Sequence, residues 1–132
     1  MNKDNLKSIL KEVKTVAIVG ASSNPDRDSY KVMKFLQDFG YTVFPVNPNL
    51  ANTKILGQEC YPNLTAIKKR IDMVDVFRAK EFITDITHEA IKIKAKILWT
   101  QLGLFSKEAA SLGKKAGLLV VMDECPKKIL EN

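Results

Sequence analysis

A short loop near the N-terminus carries the residues best suited to hold an anion. It follows an apolar run at 15–19 and consists of small residues: Gly20, Ala21, Ser22, Ser23 and Asn24. The glycine lets the backbone approach a ligand closely, and the small side chains leave backbone N–H groups room to point at a phosphate. A helix predicted to begin near Asp28 to Tyr30 adds the positive end of its dipole. The pattern predicts a phosphate-binding loop, provided that its amides are not already paired within the protein.

Two features of this region separate it from familiar nucleotide sites. No Gly-Lys-Ser/Thr follows the loop, so it is not the P-loop of nucleotide triphosphatases. The loop has one glycine rather than three, and the second predicted strand ends in Asn47-Pro48, where a dinucleotide site usually has a carboxylate for the ribose. These features disfavour NAD(P) without excluding it. A simple structural turn between strand and helix is the other alternative.

Other residues with reactive side chains are weaker candidates for chemistry. His88, the single histidine, is expected on the charged side of a helix and not at a strand end, which argues against histidine-based catalysis. Cys125 follows the last predicted strand in MDECP; a structural thiol is the favoured interpretation, and a mixed disulfide with a thiol ligand is the alternative. Asp72 and Asp75 are expected to flank and cap a buried strand, and Trp99 is expected in the core.

Two hydrophobic periodicities alternate along the chain and predict the elements that position these residues. Strand-like runs fall at 15–19, 41–46, 73–77, 96–100 and 118–122. Helical stripes lie between them, at 6–13, 32–39 and 83–93, with a short helix at 64–69 and a last helix marked by Phe105 to Ala116. The alternation predicts a single domain, 1–132, of the α/β class: a Rossmann-like, doubly wound, mostly parallel five-stranded sheet with helices on both faces.

In such a sheet, ligands bind outside the carboxyl ends of the strands, where the strand order reverses. This rule selects the segments 20–28, 47–49, 77–80, 100–104 and 123–127. Positive side chains fall in or beside these segments: Arg27, Lys31, Lys54, Arg78 and Lys80. Each one alone is an ordinary surface charge, but together they suit an anionic ligand.

Composition limits the classes of protein to consider. The chain has 132 residues, 45% hydrophobic and 27% charged, which is typical of one globular domain. Its longest apolar runs have the length of strands, and its N-terminus lacks the pattern of a secretory signal, so no membrane association is expected. The net charge of +6 is scattered over predicted helix faces, which favours a small anionic ligand over nucleic acid. Two cysteines without metal-ligand spacing predict reduced thiols in the cytoplasm and no metal site.

At the loop and the strand ends, the sequence resembles the small CoA-binding domain family, stand-alone proteins related to the N-terminal domain of the succinyl-CoA synthetase α subunit. The resemblance runs from about Val13 to Lys128 and is carried, in this order, by VAIVGASSNPDRDSYKVMKFLQDFGYTVFPVNP, GQECYPNLTAI, DMVDVFR, WTQLGL and VVMDECPK. It implies coenzyme A as the cofactor, bound at the carboxyl ends of the strands. It also implies that the domain has no catalytic activity of its own.

The resemblance further implies which positions hold the nucleotide half of CoA. Ser22, Ser23 and Asn24 would bind the pyrophosphate, next to Arg27. Asn47 and Pro48 would flank the adenosine, with Lys54 as the nearest lysine. Tyr30 either closes over the adenine or fixes a loop to the sheet.

The same resemblance implies that the pantetheine half of CoA lies at the later strands. Phe77 and Arg78 would line the channel, and Thr100 and Gln101 would meet the pantetheine arm. Cys125 and Pro126 lie at the same edge, close to where the thiol of CoA would end.

The sequence therefore predicts a small-molecule-binding protein that takes CoA or an acyl-CoA without chemistry of its own. Three alternatives stay open: an NAD(P)-dependent oxidoreductase or redox sensor, a redox partner of the CoA thiol through Cys125, and a subunit of an acyl-CoA ligase whose other domains belong to a separate chain.

Overall fold

Seven strands form two sheets in the structure, a computed structural model that describes residues 1–131. The large sheet contains β1 (Thr15–Val19), β2 (Thr42–Val46), β5 (Met73–Val76), β6 (Ile97–Thr100) and β7 (Leu119–Val121). A small antiparallel pair contains β3 (Lys54–Ile55) and β4 (Gln58–Glu59). The helices are α1 (Lys3–Lys11), α2 (Asp28–Phe39), α3 (Ile83–Lys92), α4 (Lys107–Lys115) and α5 (Pro126–Leu130). Single 3₁₀ turns lie at Pro48–Leu50, Leu64–Ala66 and Lys80–Phe82.

The large sheet is parallel throughout, in the order β2-β1-β5-β6-β7. The chain first steps outward from β1 to β2 and then returns past β1 to β5, so the strand order reverses between β1 and β5. The expected Rossmann-like, doubly wound α/β fold is confirmed.

Alternating side chains along each strand build one core on each face of the sheet. On one face, residues such as Ile18, Met73 and Trp99 pack under α1, α2 and α5. On the other face, Ala17 and Leu98 pack under α3 and α4. This alternation follows from the period of two along a strand, and it explains why the buried strands read as continuous apolar runs.

Several local predictions differ from the structure. The helix at α4 is not the last, because α5 follows it; a proline at its first position starts α5, but five residues are too few for a periodic signal. Phe105 lies before α4 and is 56% exposed, and Phe39 is 53% exposed, where it stacks between Phe35 and Tyr41. The helix expected at 64–69 is a single 3₁₀ turn, and the β3–β4 hairpin was not predicted.

The two aspartates around β5 behave differently from each other. Asp72 caps the sheet as expected: its Oδ2 accepts hydrogen bonds from the N–H groups of Lys14, at 2.8 Å, and Thr15, at 3.3 Å. Asp75 was expected to cap as well, but it lies inside β5, fully buried between Ile18 and Trp99 of the neighbouring strands. Neither of its carboxyl oxygens has a hydrogen-bond partner among residues 1–131. Burial raises the pKa of this carboxyl well above its ordinary value of 3.8, which favours the neutral acid in the folded protein.

Candidate anion-binding crevice

A crevice opens where the strand order reverses, at the carboxyl ends of β1, β2 and β5. Its volume is about 600 Å³, and it is lined by residues 20–22 and 26–29 after β1, 47–50 after β2, and Phe77 and Arg78 after β5. The loop after β1 leads to α2 on one face, and the loop after β5 leads to α3 on the other. This divergence creates the ligand-binding position general to open α/β sheets.

Gly20 is required at the base of the crevice by two independent features. Its φ is +93°, which residues with a side chain rarely adopt. A Cβ at this position would lie 2.7 Å from the carbonyl oxygen of Phe77, closer than atoms can pack. The loop after β1 is thereby pressed directly against the end of β5.

The loop uses some of its backbone amides for itself and leaves others available. The N–H groups of Gly20 and Ala21 both donate to the carbonyl oxygen of Val46, at 3.0 and 3.2 Å, which ties the loop to β2 and removes these donors from a ligand. The N–H groups of Ser22 and Ser23 have no acceptor in the part of the chain that the structure describes. The expectation of a phosphate-binding loop therefore depends on the two serines and not on the glycine.

The first turn of α2 adds three more available donors. The N–H groups of Asp28, Ser29 and Tyr30 have no acceptor within residues 1–131, and Arg27, at the cap position, makes no side-chain hydrogen bond to them. In contrast, Asn2 caps α1 and Ser106 caps α4 with side-chain oxygens. The positive end of the α2 dipole therefore lies open at the crevice, where Asp28 and Ser29 form part of the wall.

Asn47 fixes the relative position of two walls of the crevice. Its Nδ2 donates to the carbonyl oxygen of Ala21 at 2.8 Å, and its Oδ1 accepts from the N–H of Asn49 at 2.9 Å. Both ends of the amide are thus engaged in holding the loops after β1 and β2 together. At the position where dinucleotide sites usually have a ribose-binding carboxylate, this protein has a structural brace.

The charges around the crevice are mixed. Arg27 and Arg78 line it, and so do Asp26 and Asp28. The Arg78 guanidinium lies 4.1 Å from the centroid of the Phe82 ring, a cation–π contact that holds it over the end of β5. Attraction for an anion therefore comes from backbone N–H groups and two arginines together, with no cluster of lysines in the wall.

Half of the predicted site residues line the crevice and the others lie elsewhere. Those in the wall are Gly20, Ala21, Ser22, Arg27, Asn47, Pro48, Phe77 and Arg78. Outside it are Ser23, Asn24, Tyr30, Lys54, Thr100, Gln101, Cys125 and Pro126. Asn24 stabilises the loop, since its Oδ1 accepts from the N–H of Asp26 at 3.0 Å, and Lys54 is exposed on β3.

The predicted residues after β6 and β7 lie outside the crevice, where hydrogen bonds join the loops that follow these two strands. The Thr100 hydroxyl donates to the carbonyl oxygen of Leu104 at 2.6 Å and accepts from the N–H of Asp123 at 3.3 Å. Gln101 is 8% exposed, and its Oε1 has no partner among the described residues. Cys125 is buried as a free thiol.

The sequence interpretation missed two wall residues, Ser29 and Leu50; Asp26, Asp28 and Asn49 lie in the predicted segments 20–28 and 47–49 but were not named as site residues. Ser29 had a usable signal, because it stands in the first turn of a helix that follows a glycine loop. Leu50 had none, because its place in the wall depends on the 3₁₀ turn after Asn47.

A doubly wound parallel sheet with a crevice at its switch point defines the class of Rossmann-like α/β proteins. Within that class, this chain belongs to the family of CoA-binding domains, whose family model matches residues 14–131. Among residues 1–131 no helix is long and apolar enough to cross a membrane, and no group of histidine, cysteine and acidic side chains is arranged to hold a metal ion.

The chain is similar to individual proteins over most or part of its length. The chain is 39% identical to YneT of Bacillus subtilis over 96% of this chain and 92% of that protein. A solved structure of a hypothetical protein from Pyrococcus horikoshii superposes with a TM-score of 0.93 at 36% identity, over 99% of this chain and 91% of that one. The chain is also 29% identical to an ADP-forming acetate–CoA ligase of Methanocaldococcus jannaschii over 66% of its own length, which corresponds to 12% of the ligase.

Proposed function

We propose that this protein binds CoA or an acyl-CoA, with the diphosphate in the crevice between the loop after β1 and the start of α2. The observation that carries the proposal is the set of unpaired backbone N–H groups at 22, 23 and 28–30, next to a crevice at the switch point of the sheet. Charge-assisted hydrogen bonds to a phosphate are about twice as strong as neutral ones, so these donors suit a diphosphate.

The side chains around the crevice have distinct roles in this proposal. The hydroxyl of Ser22 already accepts from the N–H of Asn24 at 3.0 Å, and its proton is free to be donated to a phosphate oxygen. Arg27 and Arg78 supply positive charge, and Asn47 positions the loop without touching the ligand. Gly20 acts through the close approach of loop and strand.

We place the pantetheine arm along the carboxyl edge of the sheet, over β6 and toward Cys125-Pro126. Gln101 supports this path, because its buried Oε1 is an acceptor without a partner and pantetheine has amide N–H groups to donate. Thr100 is engaged with Leu104 and Asp123, so it supports the arm by fixing the loops and not by direct contact.

A binding role without catalysis fits the residues of the crevice. Its titratable side chains are Asp26, Arg27, Asp28 and Arg78, with neither histidine nor cysteine in the wall. His88 is exposed on α3, on the opposite face from α2. We therefore propose a binding or accessory role with a small-molecule ligand. The scattering of the positive charge along the sequence is the reason for proposing no nucleic acid, and the two free cysteines are the reason for proposing a cytoplasmic location.

The first experiment is a thermal-shift panel of CoA, acetyl-CoA, NAD, NADP and ATP, followed by calorimetric titration of the ligands that raise the unfolding temperature. A ligand that binds only the native state must stabilise it. We expect CoA or acetyl-CoA to give the largest shift. A larger shift with NAD or NADP would replace this proposal by the oxidoreductase alternative.

The second experiment locates the site. Ser22→Asp and Ser23→Asp place a carboxylate in front of the unpaired amides, and each is expected to weaken CoA binding at least tenfold. The matched control is Ser8→Asp, the same substitution on the exposed side of α1. If all three variants bind CoA as the original protein does, the diphosphate lies elsewhere.

The redox alternative has its own measurement. Non-reducing mass spectrometry of the protein taken directly from cells would show the added mass of CoA if Cys125 forms a mixed disulfide. We expect no such adduct, because Cys125 is buried.

A further inference from the structure

The edge of the large sheet opposite the crevice collects the positive charge of the chain. Parallel strands all begin at the same edge, so the segments that lead into the five strands lie together there: 11–14, 38–41, 68–72, 92–96 and 114–118. We call this the amino edge. It carries ten of the 21 lysines and arginines, all of them exposed, but three of the 15 acidic residues. The net charge of +6 therefore arises at this edge, and basic and acidic residues nearly balance elsewhere.

Hydrogen bonds hold these segments side by side. The hydroxyl of Thr15 donates to the carbonyl oxygen of Arg70 at 2.8 Å. The N–H of Lys96 donates to the carbonyl oxygen of Asp72 at 3.0 Å, and the N–H of Leu119 donates to the carbonyl oxygen of Lys96 at the same distance. Positive charges that are scattered along the sequence are thereby fixed in one row.

Few of these charges are neutralised by neighbouring side chains. Among residues 1–131, one of the ten basic side chains forms an ion pair, Lys96 Nζ with Asp72 Oδ1 at 3.7 Å. Of the other two acidic residues, Asp38 pairs with Lys34 on α2 at 3.1 Å, which leaves Glu12. Since like charges gathered on one surface repel each other, a partner that brings negative charge to the amino edge is attracted to it.

The helix ends at this edge account for part of the charge. Lys11, Lys92, Lys114 and Lys115 lie in the last turns of α1, α3 and α4, where a positive side chain stabilises the negative end of the helix dipole. The other six basic residues lie outside the α-helices. Stabilisation of helix ends therefore explains fewer than half of them.

An apolar groove opens at one end of the amino edge, next to the starts of β1 and β2. Its volume is about 450 Å³, and residues 10, 11, 13, 14 and 39–42 line it. The exposed ring of Phe39 stacks between Phe35 and Tyr41, with centroid distances of 5.9 and 5.8 Å. Nucleic-acid bases bind aromatic side chains by stacking on the face of the ring, and the faces of Phe39 are already covered. The groove suits an apolar side chain better than a base.

We propose that the amino edge docks an extended acidic segment of a partner protein, with one apolar side chain of that segment in the groove. Five strands about 4.8 Å apart make an edge about 20 Å long, which about six extended residues span. Lysine outnumbers arginine nine to one at this edge, which suits contacts with carboxylates in water better than bidentate recognition of phosphate. Because the crevice lies at the opposite edge, the partner and CoA can bind together. The inference does not depend on the proposed function.

The probe for this surface is a fluorescein-labelled peptide of glutamates with one leucine at its end, titrated with the protein and followed by fluorescence anisotropy. We expect binding at low salt and a loss of at least about fivefold in affinity at physiological salt, because salt screens exposed charges. The same peptide with serine in place of leucine should bind severalfold more weakly. Phe39→Ser should remove this difference between the two peptides.

A double variant assigns the binding to the amino edge. Lys14→Gln, Lys69→Gln removes two charges at exposed positions outside the helices, and we expect about fivefold weaker binding of the leucine peptide at low salt. The control is Lys3→Gln, Lys107→Gln, which removes the same charge from exposed positions at the opposite ends of α1 and α4. It should change the affinity by less than about twofold.

Each remaining result decides against a specific statement. If the leucine peptide does not bind at low salt, or if the control variant weakens it as much as the test variant does, the inference is wrong. Tighter binding of single-stranded DNA, or of vesicles that contain phosphatidylserine, would assign the amino edge to a nucleic acid or a membrane and overturn it as well. Competition by saturating CoA would place the peptide in the crevice, with the same consequence. A protein that binds the peptide but not CoA would refute the proposed function and support the docking surface.

Discussion

Replacing Asp75 by asparagine should stabilise the protein at neutral pH. In the unfolded chain this carboxyl ionises above about pH 4, whereas burial raises its pKa in the folded state and keeps it neutral. Folding at higher pH must therefore take up a proton. Stability is greatest below the unfolded-state pKa and falls by about 1.4 kcal/mol per pH unit until the folded-state pKa is reached. Asparagine is neutral at every pH and close to the same size, so it removes this loss.

The assay is urea unfolding of the original protein and of Asp75→Asn at pH 3, 4, 5, 6 and 7. At pH 3 the two free energies of unfolding should agree within about 1 kcal/mol. At pH 7 the free energy of unfolding of the variant should be higher than that of the original protein, by about 4 kcal/mol at most. The difference should grow steadily with pH. A difference that stays constant from pH 4 to pH 7 would mean that Asp75 is ionised in the folded protein, and the reasoning from its burial would fail.

Asp72 provides a control of opposite sign. Burial acts to raise the pKa of Asp72, but hydrogen bonds from Lys14 and Thr15 and the charges of Lys96 and Arg70 outweigh it and lower that pKa. Asp72→Asn should therefore destabilise the protein at neutral pH, and the loss should shrink as pH falls through the pKa of the folded state. The two variants should thus diverge in opposite directions from the original protein in the same set of titrations.

Three further predictions concern the crevice and its supports. Gly20→Ala should lower the unfolding temperature and weaken CoA binding more than tenfold. The added Cβ would collide with the carbonyl of Phe77, and alanine is strained at the positive φ of this position. A normal affinity in calorimetry would contradict the assigned loop geometry. Asn47→Asp should reduce affinity for CoA at unchanged secondary structure by circular dichroism, since aspartate cannot donate to the carbonyl of Ala21 and adds charge; equal affinity would remove Asn47 as a brace. Thr100→Val should cost about 1–3 kcal/mol in urea unfolding, and a neutral result would mean that its two hydrogen bonds are dispensable.

The strands of the large sheet could be predicted from sequence because each one is marked by an apolar run within a few neighbouring residues. The apolar runs at 15–19 and 73–77 are bounded by helical stripes, and each predicted strand agrees with the structure to within about one residue at each end. The glycine loop was equally readable, since residue type alone indicates a tight turn before a helix. α5 and the β3–β4 hairpin were too short to produce a periodic pattern.

The allocation of hydrogen bonds in the crevice could not be predicted, because it depends on contacts between distant segments. Nothing in the loop itself shows that Gly20 and Ala21 donate to Val46, more than 20 positions away, and so leave Ser22 and Ser23 as the loop residues with unpaired N–H groups among the described residues. For Asp75, the expected capping role disagreed with the predicted strand at 73–77, which already contains position 75. The sequence could not show that the carboxyl has no hydrogen-bond partner among the described residues, because that depends on the neighbouring strands β1 and β6.

Under the proposed function, the uncapped start of α2 would couple the protein's stability to the supply of CoA. In α1 and α4 a side-chain oxygen accepts a hydrogen bond from an N–H of the first turn, so the stability of those helix ends does not depend on a ligand. In α2 a phosphate of the ligand would accept the hydrogen bonds of the first-turn N–H groups and would thereby cap the helix. Under the proposed function, the first turn of α2 would be the part of the fold that responds most to how much CoA is present.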